Sequence, residues 1–118
     1  MADESKLIPI RTEHRVFSLT PLFPLGQLLA TNGALNKLAS WAVDPLLLLG
    51  PLVGRHVRGD WGEIDDDDWN SNTLALVHGA RLLSVYRVLR PGSAWTVKLW
   101  IITEADRKST TILLPEEY

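Results

Sequence analysis

From Arg81 onward three stretches of the chain change to a period-two pattern, and that pattern limits the fold more than any other feature. In residues 95–103, Val97, Leu99 and Ile101 face one way and Lys98, Trp100 and Ile102 the other, as in a strand with one face inside. Residues 81–88 and 109–114 carry the same signal. A turn containing Pro91-Gly92 separates the first two of these stretches. A charged connection holding Glu104, Asp106 and Arg107 separates the last two. Upstream, residues 26–31 (GQLLAT) form a short apolar run bounded by turn formers, which suits one more strand.

The first half reads as helical. Asn32 can cap a helix whose Leu35, Leu38, Ala39 and Ala42 fall three or four apart on one face. Asp44-Pro45 is a second helix start, with a side-chain acceptor at the cap and proline where its missing N–H costs nothing. A break or kink is expected at Gly50-Pro51, because Pro51 has no N–H to bond back to Leu47. After a glycine loop at residues 58–62, Asp65 caps a third helix with three more aspartates in its first turn. Trp69, Thr73, Leu76 and Val77 are its expected inner stripe, and His78-Gly79 its end.

Helices followed by a meander predict an α+β fold, with the helices packed on one face of an antiparallel sheet of about four strands. With 118 residues, residues 21–118 suffice for a single domain, preceded by a flexible leader over residues 1–20 with an edge strand at 15–19. His14 is expected to be exposed and inert there. Trp100 and Ile102 leave two alternatives for the second sheet face: cover by the N-terminal segment, or a partner-binding patch.

Cysteine is absent, which excludes disulfides, thiolate metal sites and a cysteine nucleophile. The most apolar stretch, residues 45–53, is interrupted by proline and glycine and spans about half of the roughly 20 residues a membrane helix needs. No membrane association, cofactor or metal is expected, and a cytoplasmic location fits. The formal net charge of −2 gives no global attraction for nucleic acid. Arg81, Arg87, Arg90 and Arg107 nevertheless favour a locally positive face on the later strands.

Three segments are familiar together: LFPLGQLLATNGAL, RHVRGDWGEIDDDDWNSNTLAL, and GARLLSVYR with KLWIITEADRKSTTILLPEEY. Over residues 22–118 the chain resembles a family of small bacterial proteins, usually called plasmid-related proteins, found on plasmids, integrative elements and phages. It departs from that pattern in a longer stretch around Leu49 to Val53, an enlarged turn at residues 90–94, and Lys108 in place of a small polar residue. The family has no established activity, so the resemblance implies a bacterial mobile element as context and no mechanism.

The richest chemistry joins Arg55, His56, Arg58, Asp60 and Trp61 to Thr103, Glu104, Asp106, Arg107, Thr110 and Thr111. His56 with Glu104 is a possible acid–base pair, and Arg58 with Arg107 a phosphate clamp. Such a set can cleave RNA without metal, the arginines stabilising the charged phosphorane. Helices before an antiparallel sheet also look like the barnase- and RelE-like ribonucleases, by fold-level analogy. The competing reading is that these groups satisfy one another: Asp106 and Arg107 order a turn, and Asp60 pairs with Arg55 or Arg58.

Residues 60–68 concentrate six of the fourteen acids. They lack the spacing of a calcium loop, and can instead imitate nucleic-acid phosphates or simply form a solvated helix start. The resulting expectation is a non-catalytic module binding a host or element-encoded protein through Trp61, the acidic helix start or the sheet face. The alternative is a ribonuclease-like toxin centred on His56, Glu104 and Arg107. Oligomeric state is not legible in the sequence.

Overall fold

A computed structural model describes residues 18–41 and 44–118. Three helices, α1 (Asn32–Ala39), α2 (Pro45–Val57) and α3 (Asp66–His78), accompany four strands, β1 (Gln27–Ala30), β2 (Leu82–Leu89), β3 (Thr96–Thr103) and β4 (Ser109–Leu113). The fold is α+β, with helices packed on a sheet. Strand order is β1-β4-β3-β2. The later strands form the expected antiparallel meander, with Ile101 opposite both Ser84 and Ile112. β1 joins β4 in parallel, so the sheet is mixed rather than wholly antiparallel. The three helices and two strands between β1 and β4 return the chain to the same end of the sheet, which a hairpin cannot do.

The inner face carries Tyr86, Val88, Leu99, Ile101 and Ile112 against Ala34 and Leu38 of α1 and Leu49 and Leu52 of α2. A second cluster, Phe23, Trp61, Trp69 and Leu82, fills the end nearest α3. Glycine is required where β1 begins: Gly26 has φ +64°, and a Cβ there would lie 2.3 Å from the Lys108 backbone.

Several local expectations are corrected. Thr31, not Asn32, caps α1, its hydroxyl accepting from Ala34 N–H at 3.1 Å. Leu38 faces inward as expected, joined by Ala34, while Ala39 is exposed. α2 runs unbroken through Pro51, whose missing bond falls on a face where Leu47 and Pro51 are exposed and water can serve the freed carbonyl. In α3 the inward residues are Trp69 and Asn72, whereas Val77 is 76 % exposed. Ser18 already donates to the Arg58 carbonyl and Leu22 to the Val57 carbonyl, each at 2.7 Å, so attachment to the body begins ahead of residue 21. Ser18 and Leu19 are not in a strand; His14, Ala42 and the rest of the expected edge strand lie outside the described residues.

The two sheet edges differ. On β2, Leu83 N–H donates to Asn72 Oδ1 at 3.1 Å while the Asn72 amide donates to Leu83 O, so one side chain pairs as a strand residue would. Two residues on, Val85 N–H donates to Trp61 O at 3.0 Å and Val85 O accepts from Glu63 N–H at 2.6 Å. Gly62 forms the bridge between them with φ +80°, and a Cβ there would lie 2.0 Å from Val85 O. The glycine loop therefore seals the β2 edge, a common defence against unwanted strand pairing. β1 has no such cover among the described residues.

Candidate functional site

His56, on the last turn of α2, is fully buried and points across the inner face of the sheet. Its Nδ1 lies 2.6 Å from Ser84 Oγ and its Nε2 2.8 Å from Thr103 Oγ1. Thr103 Oγ1 lies 2.7 Å from Thr110 Oγ1, which donates to the Leu25 carbonyl at 2.8 Å. Counting protons orders the chain. A carbonyl only accepts, so the Thr110 proton goes to Leu25 and Thr103 must donate to Thr110. Thr103 then accepts from His56 Nε2–H, and His56 Nδ1 accepts from Ser84. The imidazole is neutral and held as one tautomer. Burial, reinforced by the nearby Arg107 charge, pulls its pKa down to about 3.

Arg107 has φ +60°, unusual for a residue with a side chain. Its guanidinium donates to the carbonyls of Ala80 (2.6 Å), Glu104 (3.0 Å) and Ala75 (3.2 Å). It thereby closes the β3–β4 turn and serves carbonyls at the C-terminal end of α3. Asp106 Oδ1 accepts from Lys108 N–H at 2.9 Å, a turn-ordering bond. Glu104 joins the same turn through its backbone, donating to Ser109 O at 3.1 Å.

Arg55 Nε donates to Asp60 Oδ2 at 2.7 Å, and this bond raises the Arg55 pKa. The Arg55 guanidinium also lies 4.7 Å from the Tyr86 ring centroid, and the Tyr86 hydroxyl donates to Asp60 O at 2.5 Å. Trp61, expected at a contact surface, is 1 % exposed. It stacks on Phe23 with centroids 6.3 Å apart and meets the His56 ring edge-on at 5.8 Å. A large aromatic between two glycines reads as a displayed side chain, but here the loop folds inward to seal the β2 edge. Arg58 is exposed at the end of α2.

The glycine loop and the β3–β4 turn do meet, sharing Phe23, over which the Arg107 guanidinium sits at 5.7 Å. They meet inside the protein. His56, Thr103 and Thr110 have no exposed surface, and Arg107 is occupied by carbonyls, so the set forms no open cleft. On the second sheet face, where cover by the N-terminal segment and a partner-binding patch were the two alternatives, Trp100 is partly buried. Ile102 is 4 % exposed, and the Tyr118 ring lies 5.2 Å from that of Trp100.

What stays open was not singled out by the sequence. At the β2–β3 tip, Arg90 N–H donates to Trp95 O at 2.7 Å, leaving Trp95 74 % and Leu89 56 % exposed. An apolar groove of about 460 Å³ lies beside β1, lined by Leu28, Ala30, Leu35, Leu49, Gly50 and Val53 among others. Ser84 was legible in principle: it is a polar residue at an inward position between Leu82 and Tyr86, which requires a buried partner. Among the described residues no group of three or more His, Asp or Glu side chains is placed to hold a metal ion. No described helix is long and apolar enough to cross a membrane.

No family model, curated protein or solved structure matches the chain.

Proposed function

We propose that the protein is a non-catalytic interaction module, an accessory protein of a bacterial mobile genetic element that acts in the cytoplasm on a host or element-encoded protein. The observation that carries this reading is Trp95, a large aromatic left 74 % exposed at a hairpin tip beside Leu89 and Arg90. Tryptophan and arginine are the residues that most often dominate protein interfaces, and an apolar pair flanking a cation fits a partner pocket with an acidic rim. The mobile-element context rests on the resemblance in the GDWG and WIITEADR…TTILLPEEY stretches.

The ribonuclease reading needs His56 to exchange protons with a substrate hydroxyl. A buried imidazole with both nitrogens engaged by Ser84 and Thr103 does not reach one. The net charge of −2 adds no attraction for RNA.

Expression in a bacterial host tests both readings. The expected result is normal growth with intact RNA, and co-purification of a protein partner that Trp95→Ser abolishes while leaving the fold unchanged. Growth arrest with RNA breakdown, relieved by Arg107→Lys or His56→Gln in variants that remain folded, would overturn the proposal.

A further inference from the structure

Helix α1 begins on a tertiary contact. The first amides of a helix have no carbonyl within it to bond to. In α1 the Thr31 hydroxyl serves Ala34 N–H, and the first backbone bond, Leu35 N–H to Thr31 O at 3.0 Å, comes one residue later. Gly33 is served from a distant part of the sequence. A short helical turn at Pro115–Glu117 brings up the Glu117 carboxylate, whose Oε1 accepts from the Thr31 hydroxyl at 2.6 Å and from Leu114 N–H at 2.8 Å. The Thr31 hydroxyl, with Leu114 N–H and Gly33 N–H, holds the Glu117 pKa below the usual carboxylate range. A Cβ on residue 33 would lie 2.5 Å from Glu117 Oε2, so the carboxylate sits where only glycine admits it. Tyr118 fixes the turn from its other side, its ring 5.2 Å from that of Trp100 and 5.1 Å from the Arg81 guanidinium.

The glycine that this contact demands follows an asparagine, and Asn32-Gly33 is the one Asn-Gly step in the sequence. Such a step loses its side-chain amide more readily than any other. The backbone nitrogen of the glycine attacks the asparagine Cγ, an N–C bond forms as Cγ–Nδ2 breaks, and ammonia leaves. Water then opens the cyclic imide at one carbonyl to give aspartate or at the other to give isoaspartate. Glycine leaves the attacking nitrogen unshielded and its backbone free to turn. Asn32 is exposed, so water reaches the imide.

We infer that Asn32 is a site of spontaneous deamidation and isoaspartate formation, and that Glu117 governs its rate. Attack requires the Gly33 nitrogen to give up its proton and swing toward Cγ. A hydrogen bond to an anion opposes both steps: the neighbouring negative charge disfavours ionisation of the amide, and the bond anchors the first turn of α1 in helical geometry. Amides inside a helix are restrained by carbonyls four residues back, as at the exposed Asn70-Ser71 of α3. Gly33 has no such carbonyl and depends on Glu117. The reaction also undoes its own restraint. Isoaspartate inserts a methylene into the backbone ahead of Gly33, and either product adds a negative charge one residue from the amide that Glu117 holds. Residues 115–118 then loosen from α1.

The test incubates the full chain in mildly alkaline buffer and follows the Asn32 and Asn70 peptides by mass spectrometry, with isoaspartate resolved by chromatography. The expected result is slow conversion of Asn32 in the folded wild type and fast conversion in urea. Glu117→Ala, an exposed position whose loss leaves circular dichroism unchanged, should speed Asn32 about fivefold, the worth of one exposed hydrogen bond, with Glu117→Gln in between. Asn70 should respond to neither variant. The deamidated fraction should show faster hydrogen exchange at Leu114. An Asn32 peptide that stays intact in urea overturns the site. A rate that Glu117→Ala leaves unchanged, or a rise that Asn70 shares, overturns the control by Glu117.

Discussion

Thr103 Oγ1 accepts the Nε2 proton of His56 at 2.8 Å, and neither residue has any exposed surface. Their pairing converts the most promising acid–base residue of the sequence into a strut between α2 and the central strands. His56 is neutral because the site is dry, and oriented because every proton along the Ser84–His56–Thr103–Thr110–Leu25 chain has one destination. Arg107 does comparable work at the other end, holding carbonyls instead of a phosphate.

Acid should weaken the fold through His56. Its folded pKa, about 3, lies below the ordinary 6.5. The unfolded chain therefore binds the proton more readily, and the contribution is complete above pH 6.5 and lost as pH falls from 6.5 toward 3. The slope in that window should approach about 1.4 kcal/mol per pH unit. Urea unfolding across the window should show it for the wild type, and His56→Gln should flatten it.

The tautomer is a separate expectation. Nitrogen NMR at neutral pH should report protonation at Nε2 and none at Nδ1, and the ring should not titrate between pH 8 and 5. An Nδ1–H signal would contradict the proton order. His56→Ala, which strands Ser84 and Thr103 without their partner and opens a cavity, should cost about 3 kcal/mol or more in denaturant unfolding.

Arg107→Ala removes a charged donor from the carbonyls of Ala75, Ala80 and Glu104 and should cost about 2 kcal/mol. The loss should appear as a lower urea midpoint with no change in slope. Hydrogen exchange should rise first at the C-terminal end of α3 and in the β3–β4 turn.

The glycines at 50 and 62 should respond oppositely to alanine. At Gly50 a Cβ meets nothing within 4 Å, and the helix should gain up to about 1 kcal/mol. At Gly62 φ is +80° and a Cβ would lie 2.0 Å from Val85 O. That substitution should cost about 3 kcal/mol and unseal the β2 edge, seen as a lowered melting temperature with increased aggregation.

How much of this was legible follows from the range of each signal. Period-two alternation placed β2, β3 and β4, and Asp44, Asp65 and Gly79 marked helix ends, because strand faces and caps are decided by residues within a turn or two of one another. Nothing local states that β1 runs parallel to β4, since its partner is some eighty positions away. Nor does anything local state that Trp61 turns inward, because its burial depends on Phe23 and on Val85 offering an unpaired strand edge. The same distance hides the fate of His56. Histidine, threonine and arginine carry identical chemistry in a cleft and in a core, and only the tertiary packing of α2 against Ser84 and Thr103 removed the water that would have made that chemistry available.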